Sequence, residues 1–503
     1  MRARWLALAL WPAVAQAGPP LSAIDWLKDP VPVIQPLPGA DKPIEGVRIP
    51  EVSVTPLDAP AQDSAGLLSP SVTGLPVTLW QNSRADRIVT LLKAQKLTDL
   101  PAMQALFYTL LLAEAEAPVD PGVNGAFLAA RLDLLVGLGA VEPAQALVER
   151  AGPVTKPLFA RWFDATLLTG DEDRACAELI RTPSLAPGFA ARIFCTARSG
   201  DWRAAALMLN TAQSLKLLSD QEQALLTHFL DPEEFAEDPL PLPPVRPTPL
   251  VFRLWEALGE PLPTAPLPRA FAVADLRDLA GWKARIEAAE RLALTGALPE
   301  NRLLGIYSER QPAASGGIWD RVEAIQHFDT ALRAGDPGAV ARSLPGAWRA
   351  MQAARLEVPF ARLFAQPLAQ LPLSGEAAEL AVSVALLSPD YEAAARANAD
   401  RFPELAFLLS LAQGQPHPAA ANSPMERAIV GAFQSRGMPE EYHPLQSEGR
   451  VGEIILDSML QYEAAMRGEM RGLETALAAF RALGLEDTAR QAALQALLLT
   501  RSP

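Results

Sequence analysis

Hydrophobic residues recur every three to four positions along most of the chain after residue 77, a spacing typical of amphipathic α-helices. An early case is residues 103–111, where five apolar side chains fall on one helical face. The pattern continues to residue 499, where Leu and Ala again line one face. The sequence therefore predicts an all-α protein.

Glycine marks the predicted helix ends at a regular interval. Gly139, Gly170 and Gly200 each follow an apolar run and lie about 30 residues apart, close to the period of helix–turn–helix repeats. Glycine suits the left-handed cap that ends a helix, and a small or polar residue then opens the next one. After Gly200, the pattern places Ala204, Ala205 and Leu207 on one apolar face of the following helix.

Residues 125–215 resemble a degenerate tetratricopeptide-type array. The glycine at each hairpin turn and the alanines that let two helices approach are matched, whereas the Trp and Tyr positions of that family are mostly missing. The same signals recur around Gly296 and Gly335. The resemblance implies stacked α-hairpins, or an α-solenoid, whose concave face binds other proteins or peptides.

Two proline-rich intervals divide the chain, because proline fixes its own backbone and biases the preceding residue away from the helix. The predicted organisation is a signal peptide at 1–17, an extended segment at 18–76, an N-terminal helical-repeat region at 77–231, a proline-rich linker at 232–268 and a C-terminal helical region at 269–503. Both intervals carry apolar residues between the prolines, so each is either an extended linker or, as the alternative, a segment docked on the protein surface.

The first residues have the organisation of a secretory signal. Arg2 and Arg4 precede a short apolar stretch, and Ala15-Gln16-Ala17 forms a small-x-small cleavage site. The apolar stretch is about half as long as a membrane-spanning helix, so a short anchor is the lesser alternative. No later run approaches a membrane span, and the abundance of Arg over Lys suggests a bacterial, periplasmic protein without an integral membrane segment.

The net charge and the small number of reactive side chains argue against several classes of function. The formal net charge is −14, which disfavours binding to nucleic acid. Only four His and two Cys are present. Cys176 and Cys195 fall about equally far from a predicted helix connection near Leu185, so antiparallel helices would bring them together. They are predicted to form a disulfide, with two buried free thiols as the alternative.

No nucleophile, metal or nucleotide motif is present in the sequence, so no catalytic, metal or cofactor-binding residue is assigned. The helical shell also resembles the superhelical domain of soluble lytic transglycosylases, but the Glu-Ser dipeptide of their catalytic domain is missing. A peptidoglycan-active enzyme or saccharide binder is the alternative. An Ala-rich ice-binding protein is a remote one, because threonine is sparse and prolines interrupt the helices.

Residues 305–320 differ from the rest of the chain and form the candidate partner-binding site. A Ser-Gly-Gly sequence precedes a predicted helix, whose unpaired N–H groups could bind a carboxylate. The candidate contacts in this segment are Tyr307, Arg310, Gly316, Gly317 and Trp319. The alternative is a tight connection in which Trp319 fills the core.

Trp26, in the first proline-rich segment, is a further candidate contact, because an aromatic residue can anchor a small interface. Packing of Trp26 onto the helical domain is its alternative. Together these features predict an exported, non-enzymatic helical scaffold that binds other envelope proteins or peptides, in a setting such as cell-wall synthesis or flagellar-motor assembly.

Overall fold

A computed structural model describes residues 62–122, 125–235, 238–277, 279–399 and 401–499 of the chain. These described residues form 25 α-helices and no β-strand, which confirms the all-α prediction. The predicted signal peptide, the first part of the 18–76 segment and Trp26 lie outside them. Among the described residues, no helix has the length and apolar character that crossing a membrane requires.

The helices are numbered in the order in which they follow one another along the chain. The first thirteen are α1 (Pro70–Thr73), α2 (Ala85–Ala94), α3 (Pro101–Leu112), α4 (Ala126–Gly137), α5 (Val141–Ala151), α6 (Lys156–Thr169), α7 (Glu172–Arg181), α8 (Phe189–Arg198), α9 (Trp202–Ser214), α10 (Asp220–Leu230), α11 (Pro249–Ala257), α12 (Ala272–Asp275) and α13 (Trp282–Ala293). The remaining twelve are α14 (Glu300–Tyr307), α15 (Ile318–Arg333), α16 (Pro337–Ala353), α17 (Glu357–Ala369), α18 (Gly375–Ala385), α19 (Tyr391–Ala397), α20 (Ala406–Ala412), α21 (Pro424–Gln434), α22 (His443–Ser447), α23 (Val451–Met466), α24 (Arg471–Ala482) and α25 (Glu486–Leu498).

The three predicted glycine caps are present. Gly139, Gly170 and Gly200 end α4, α6 and α8 with φ angles of 86°, 87° and 92°, in the left-handed region that favours glycine. In each case the next residue donates its N–H to the carbonyl five positions earlier, at 2.9, 2.9 and 3.2 Å. This is the Schellman arrangement, which satisfies a carbonyl that the helix end would otherwise leave unpaired. The local signals thus set three hairpins, α4–α5, α6–α7 and α8–α9.

The last helices of the chain pack against the first. α23 lies on α2, and α25 lies on α3. Gln95 donates a side-chain hydrogen bond of 2.9 Å to the Leu456 carbonyl, and the Ala102 N–H donates one of 2.7 Å to Gln495. In an open solenoid each repeat contacts only its neighbours, so this closure departs from the predicted solenoid, whereas the packing of adjacent helices agrees with stacked hairpins.

The second proline-rich interval is docked on the protein. Within 232–268, α11 buries Leu250 and Phe252, and the described residues from 62 to 499 belong to one compact unit. The segment before α11 runs back along α10. The His228 ring Nε2 lies 3.3 Å from the Asp238 carbonyl oxygen, and Gln221 donates to the Leu242 carbonyl at 3.5 Å. Of the two alternatives for this interval, the contacts favour the docked segment, because α11 packs on α6 and α10.

Cys176 on α7 and Cys195 on α8 form a disulfide bond, as their distance from the connection predicts. Both side chains are buried between the two antiparallel helices. The bond lies within the run of packed hairpins and links two of them covalently.

The disulfide is expected to stabilise the fold measurably. It closes a loop with a sequence separation of 19 residues. The chain-entropy model for a loop of that size gives about 3 kcal/mol. The free energy of unfolding of the Cys176→Ala/Cys195→Ala protein should be lower by that amount, and its urea midpoint should fall accordingly. Reductant should weaken the wild-type protein and leave the double variant unchanged. Two titratable thiols in the unfolded, unreduced protein would contradict this expectation.

Candidate functional site

The segment 305–320, whose sequence differs from the rest of the chain, contributes to the lining of an open cavity of about 910 Å³. One wall is the connection between α14 and α15, residues 308–315. The other wall is a face of α15 on which Glu323, Gln326, His327 and Thr330 follow helical spacing. The cavity is therefore a trough between an irregular segment and a polar helix face.

Tyr307 anchors the connection from below and does not face the cavity. It is 1% exposed, and its hydroxyl donates to Glu290 on α13 at 2.8 Å. Glu290 also accepts two hydrogen bonds from Arg321 on α15, at 2.7 and 2.8 Å. Burial, with the neighbouring Glu290 carboxylate, raises the pKa of Tyr307 well above its ordinary value. Tyr307 thus holds α13, α14 and α15 together and is not accessible to a partner.

Gln326 holds the connection in place from α15. Its side-chain amide donates to the carbonyl of Tyr307 at 2.6 Å and to the carbonyl of Arg310 at 2.7 Å. These two bonds fix the turn that leads out of α14. Sequence reasoning missed Gln326, because a glutamine on an exposed helix face carries no local signal of this role.

The Ser-Gly-Gly sequence supplies the turn into α15. Gly316 and Gly317 both have positive φ, at 98° and 59°, which an L-residue rarely adopts. The Gly316 N–H donates to the Asp320 carboxylate at 2.7 Å. A ligand carboxylate would have to compete with this carboxylate of the chain itself, so the structure does not favour the anticipated anion site at this helix start.

Trp319 is half-buried and lies against Trp282 of α13, with ring centroids 5.1 Å apart. The Trp282 indole in turn donates to the Ile306 carbonyl at 2.8 Å. The tryptophan pair therefore packs the base of the connection against two helices. This placement agrees with the alternative in which Trp319 fills the core, although part of its surface stays accessible.

The ionisable side chains that line the cavity differ in whether they already form an ion pair. Glu309 forms two hydrogen bonds with Arg285, at 2.9 and 2.6 Å, and is held by them. Arg310, Glu323 and His327 also line the cavity, and none of the three forms an ion pair with another residue in the described part of the chain. Both signs of charge are thus available to a ligand.

The connection also offers unpaired backbone donors. Within the described ranges, the N–H groups of Gln311, Ala313 and Ala314 form no hydrogen bond to the protein. Backbone donors pair readily with the carbonyls of an extended peptide laid alongside them. Such pairing, flanked by Arg310 and Glu323, suits a polypeptide segment of mixed charge.

Comparison with known proteins gives no relative: no protein-family model, curated protein or solved structure matches the chain. Function is therefore inferred from the fold and from the cavity beside residues 308–315.

Proposed function

We propose that the protein is an exported, non-enzymatic helical scaffold that binds an extended segment of another cell-envelope protein in the cavity beside residues 308–315. The observation that carries this proposal is the set of unpaired backbone donors in the connection between α14 and α15. Gln326 holds its first turn by two carbonyls, and the backbone donors beyond that turn point to no partner within the described part of the chain. A segment presented in this way is ready for backbone pairing.

The size and charge of the cavity support a peptide as the ligand. About 910 Å³ accommodates several residues of an extended chain. Arg310 on one wall and Glu323 on the other can form ion pairs with a partner segment that carries both signs of charge. These rim pairs contribute more to selectivity and rate of association than to affinity.

The disulfide bond supports the proposed exported location. Disulfide bonds persist in oxidising compartments, and a protein with a bonded Cys176–Cys195 pair fits an exported location better than a reducing one. The signal-like sequence at 1–17 points the same way. Assembly of cell-wall synthesis or of a flagellar motor is a setting consistent with such a scaffold.

Site-specific photo-cross-linking in intact cells of the source organism tests the proposal. A benzoylphenylalanine in place of Ala314, on the cavity wall, should cross-link one or a few envelope proteins. The same group in place of Val154, which is 70% exposed on another part of the surface, serves as the matched control and should not. Gln326→Ala should lower the yield at position 314, because the connection loses both of its carbonyl contacts.

Two outcomes would overturn the proposal. One is equal protein cross-linking from positions 314 and 154, which would indicate a non-specific surface. The other is recovery of peptidoglycan fragments without any protein at position 314, which would favour the saccharide-binding or peptidoglycan-active alternative.

A further inference from the structure

Residues 239–246 form a proline-rich segment on the protein surface between α10 and α11. Four of these eight residues are proline, and the segment forms neither helix nor strand before it bends at Val245 and Arg246. Proline fixes its own backbone and biases the residue before it towards the polyproline II conformation, which has three residues per turn. The sequence therefore favours an extended segment even before a partner binds to it.

One edge of the segment is held against the protein. Pro241 and Pro244, one polyproline turn apart, are half-buried. Leu240 packs against the core, and Gln221 on α10 donates to the Leu242 carbonyl at 3.5 Å. Because the segment is already held in place, a partner that binds it loses little affinity to ordering of the chain.

The other edge of the segment exposes apolar side chains. Leu242 and Val245 are both 89% exposed, more than any other large apolar residue in the described part of the chain. The later proline-rich stretch of the same interval, 260–268, buries both of its leucines, Leu262 and Leu267. Proline-rich composition alone therefore does not explain why Leu242 and Val245 remain in solvent.

We propose that residues 239–246 bind in an aromatic-lined groove of a second protein, with a carboxylate of that groove facing Arg246. Two prolines three positions apart, as Pro241 and Pro244 are, have the spacing that such grooves recognise. Arg246 is exposed, and it forms no ion pair with another residue that the structure describes. A guanidinium stacks on aromatic rings and pairs with carboxylates, so Arg246 suits the end of such a groove.

This surface goes beyond the proposed function, because none of the residues 239–246 lines the cavity beside residues 308–315. The cavity takes up a segment of a partner, whereas residues 239–246 are themselves the segment that a partner takes up. A scaffold with both kinds of surface can hold two different proteins at once.

Photo-cross-linking from this segment, followed by calorimetry with the full chain, tests the proposal. Benzoylphenylalanine in place of Val245 should cross-link, in intact cells of the source organism, a protein different from this chain. The same group in place of Leu279, which is 78% exposed elsewhere in the sequence, is the control and should not capture that protein. The captured protein is then purified and titrated with the full chain and its variants.

Two exposed positions show whether the contact is the one proposed. Arg246→Glu should weaken binding by about tenfold or more, because it places a carboxylate beside the carboxylate of the groove. Pro243→Ala should also weaken binding, because it removes a ring from the groove and loosens the extended segment. Pro263→Ala is the matched control, since Pro263 is exposed in the same interval, and it should leave the affinity unchanged. All three variants should keep the wild-type melting temperature.

Equal affinity of the captured protein for the wild-type chain and for Arg246→Glu would overturn the proposal, as would equal weakening by Pro243→Ala and Pro263→Ala. Capture of no protein at position 245 beyond those found at position 279, or of a second copy of this chain alone, would overturn it too. None of these results affects the cross-linking expected at position 314, so the two proposals fail separately.

Discussion

Replacing Arg131 with methionine is expected to lower the free energy of unfolding by about 4 kcal/mol. Arg131 lies on α4 and is 1% exposed. Its guanidinium donates to four backbone carbonyls: to Leu111 at 2.9 Å, to Ala113 at 3.0 Å, to Ala65 at 2.8 Å and to Asp63 at 3.4 Å. The first two are at the end of α3 and the other two are in the segment before α1, so one side chain on α4 joins three parts of the chain.

The size of the effect follows from what methionine leaves behind. Each buried carbonyl that loses its donor costs about 1–3 kcal/mol. The nearby Asp63 carboxylate also loses its neutralising charge, and burial already raises the pKa of Asp63 above its ordinary value. Methionine also removes the cost of burying a charged guanidinium, which partly offsets these losses. That burial is what lowers the pKa of Arg131 to about 10. The lost hydrogen bonds and the loss of the positive charge beside Asp63 together outweigh that relief.

Urea unfolding followed by circular dichroism measures this loss. Arg246→Met is the control, because Arg246 is exposed, and it should change the stability by less than about 0.5 kcal/mol. Arg131→Lys should fall between the two, since an ammonium keeps the charge but lacks the planar fork that reaches four carbonyls. A loss below about 1 kcal/mol for Arg131→Met would show that the carbonyls find other partners.

Local features of the fold could be predicted because their causes are local. A left-handed cap requires glycine whatever the rest of the chain does, so Gly139, Gly170 and Gly200 identified three helix ends. The pairing of Cys176 with Cys195 followed from their equal distance to one connection. Such signals lie within a few residues of the structure that they specify.

On α9, the sequence pattern could not show which apolar residue faces the core. The pattern placed Leu207 with Ala204 and Ala205 on one face, yet Leu209 is buried and Leu207 is 68% exposed. Both leucines satisfy a helical period with some of the alanines, and only tertiary packing selects between them.

Contacts between distant parts of the chain had no signal in the sequence either. Asp99, before α3, forms an ion pair with Arg355, after α16, and both residues have positive φ, at 61° and 59°. Non-glycine residues in this region carry strain that surrounding packing must sustain. At the candidate site, Tyr307 proved buried and Gln326 proved central for the same reason, since burial and contact at this site depend on how α13, α14 and α15 assemble.

The five tyrosines predict a second large effect, at alkaline pH. Burial raises the pKa of every one, to about 12 for Tyr108, where Glu142 adds to the shift, and in the same direction for Tyr307, Tyr391, Tyr442 and Tyr462. Three of the hydroxyls donate to carboxylates at 2.7 or 2.8 Å: Tyr307 to Glu290, Tyr391 to Asp487 and Tyr442 to Asp457. Ionisation in the folded protein would therefore place buried phenolates beside carboxylates.

The folded protein is consequently expected to show no phenolate absorbance at pH values near 10, where unfolded tyrosines ionise. Above that pH the unfolded state releases protons that the folded state keeps, so the stability falls by about 1.4 kcal/mol per pH unit for each tyrosine that stays protonated. Unfolding and phenolate absorbance should then rise together in one steep transition, followed by circular dichroism and near-ultraviolet absorbance of the same sample. Tyr108→Phe removes a hydroxyl that is not one of the three bonded to carboxylates. The loss of stability per pH unit should then be smaller by the contribution of one tyrosine. Phenolate absorbance that develops near pH 10 while the helical signal is intact would contradict the burial of these hydroxyls.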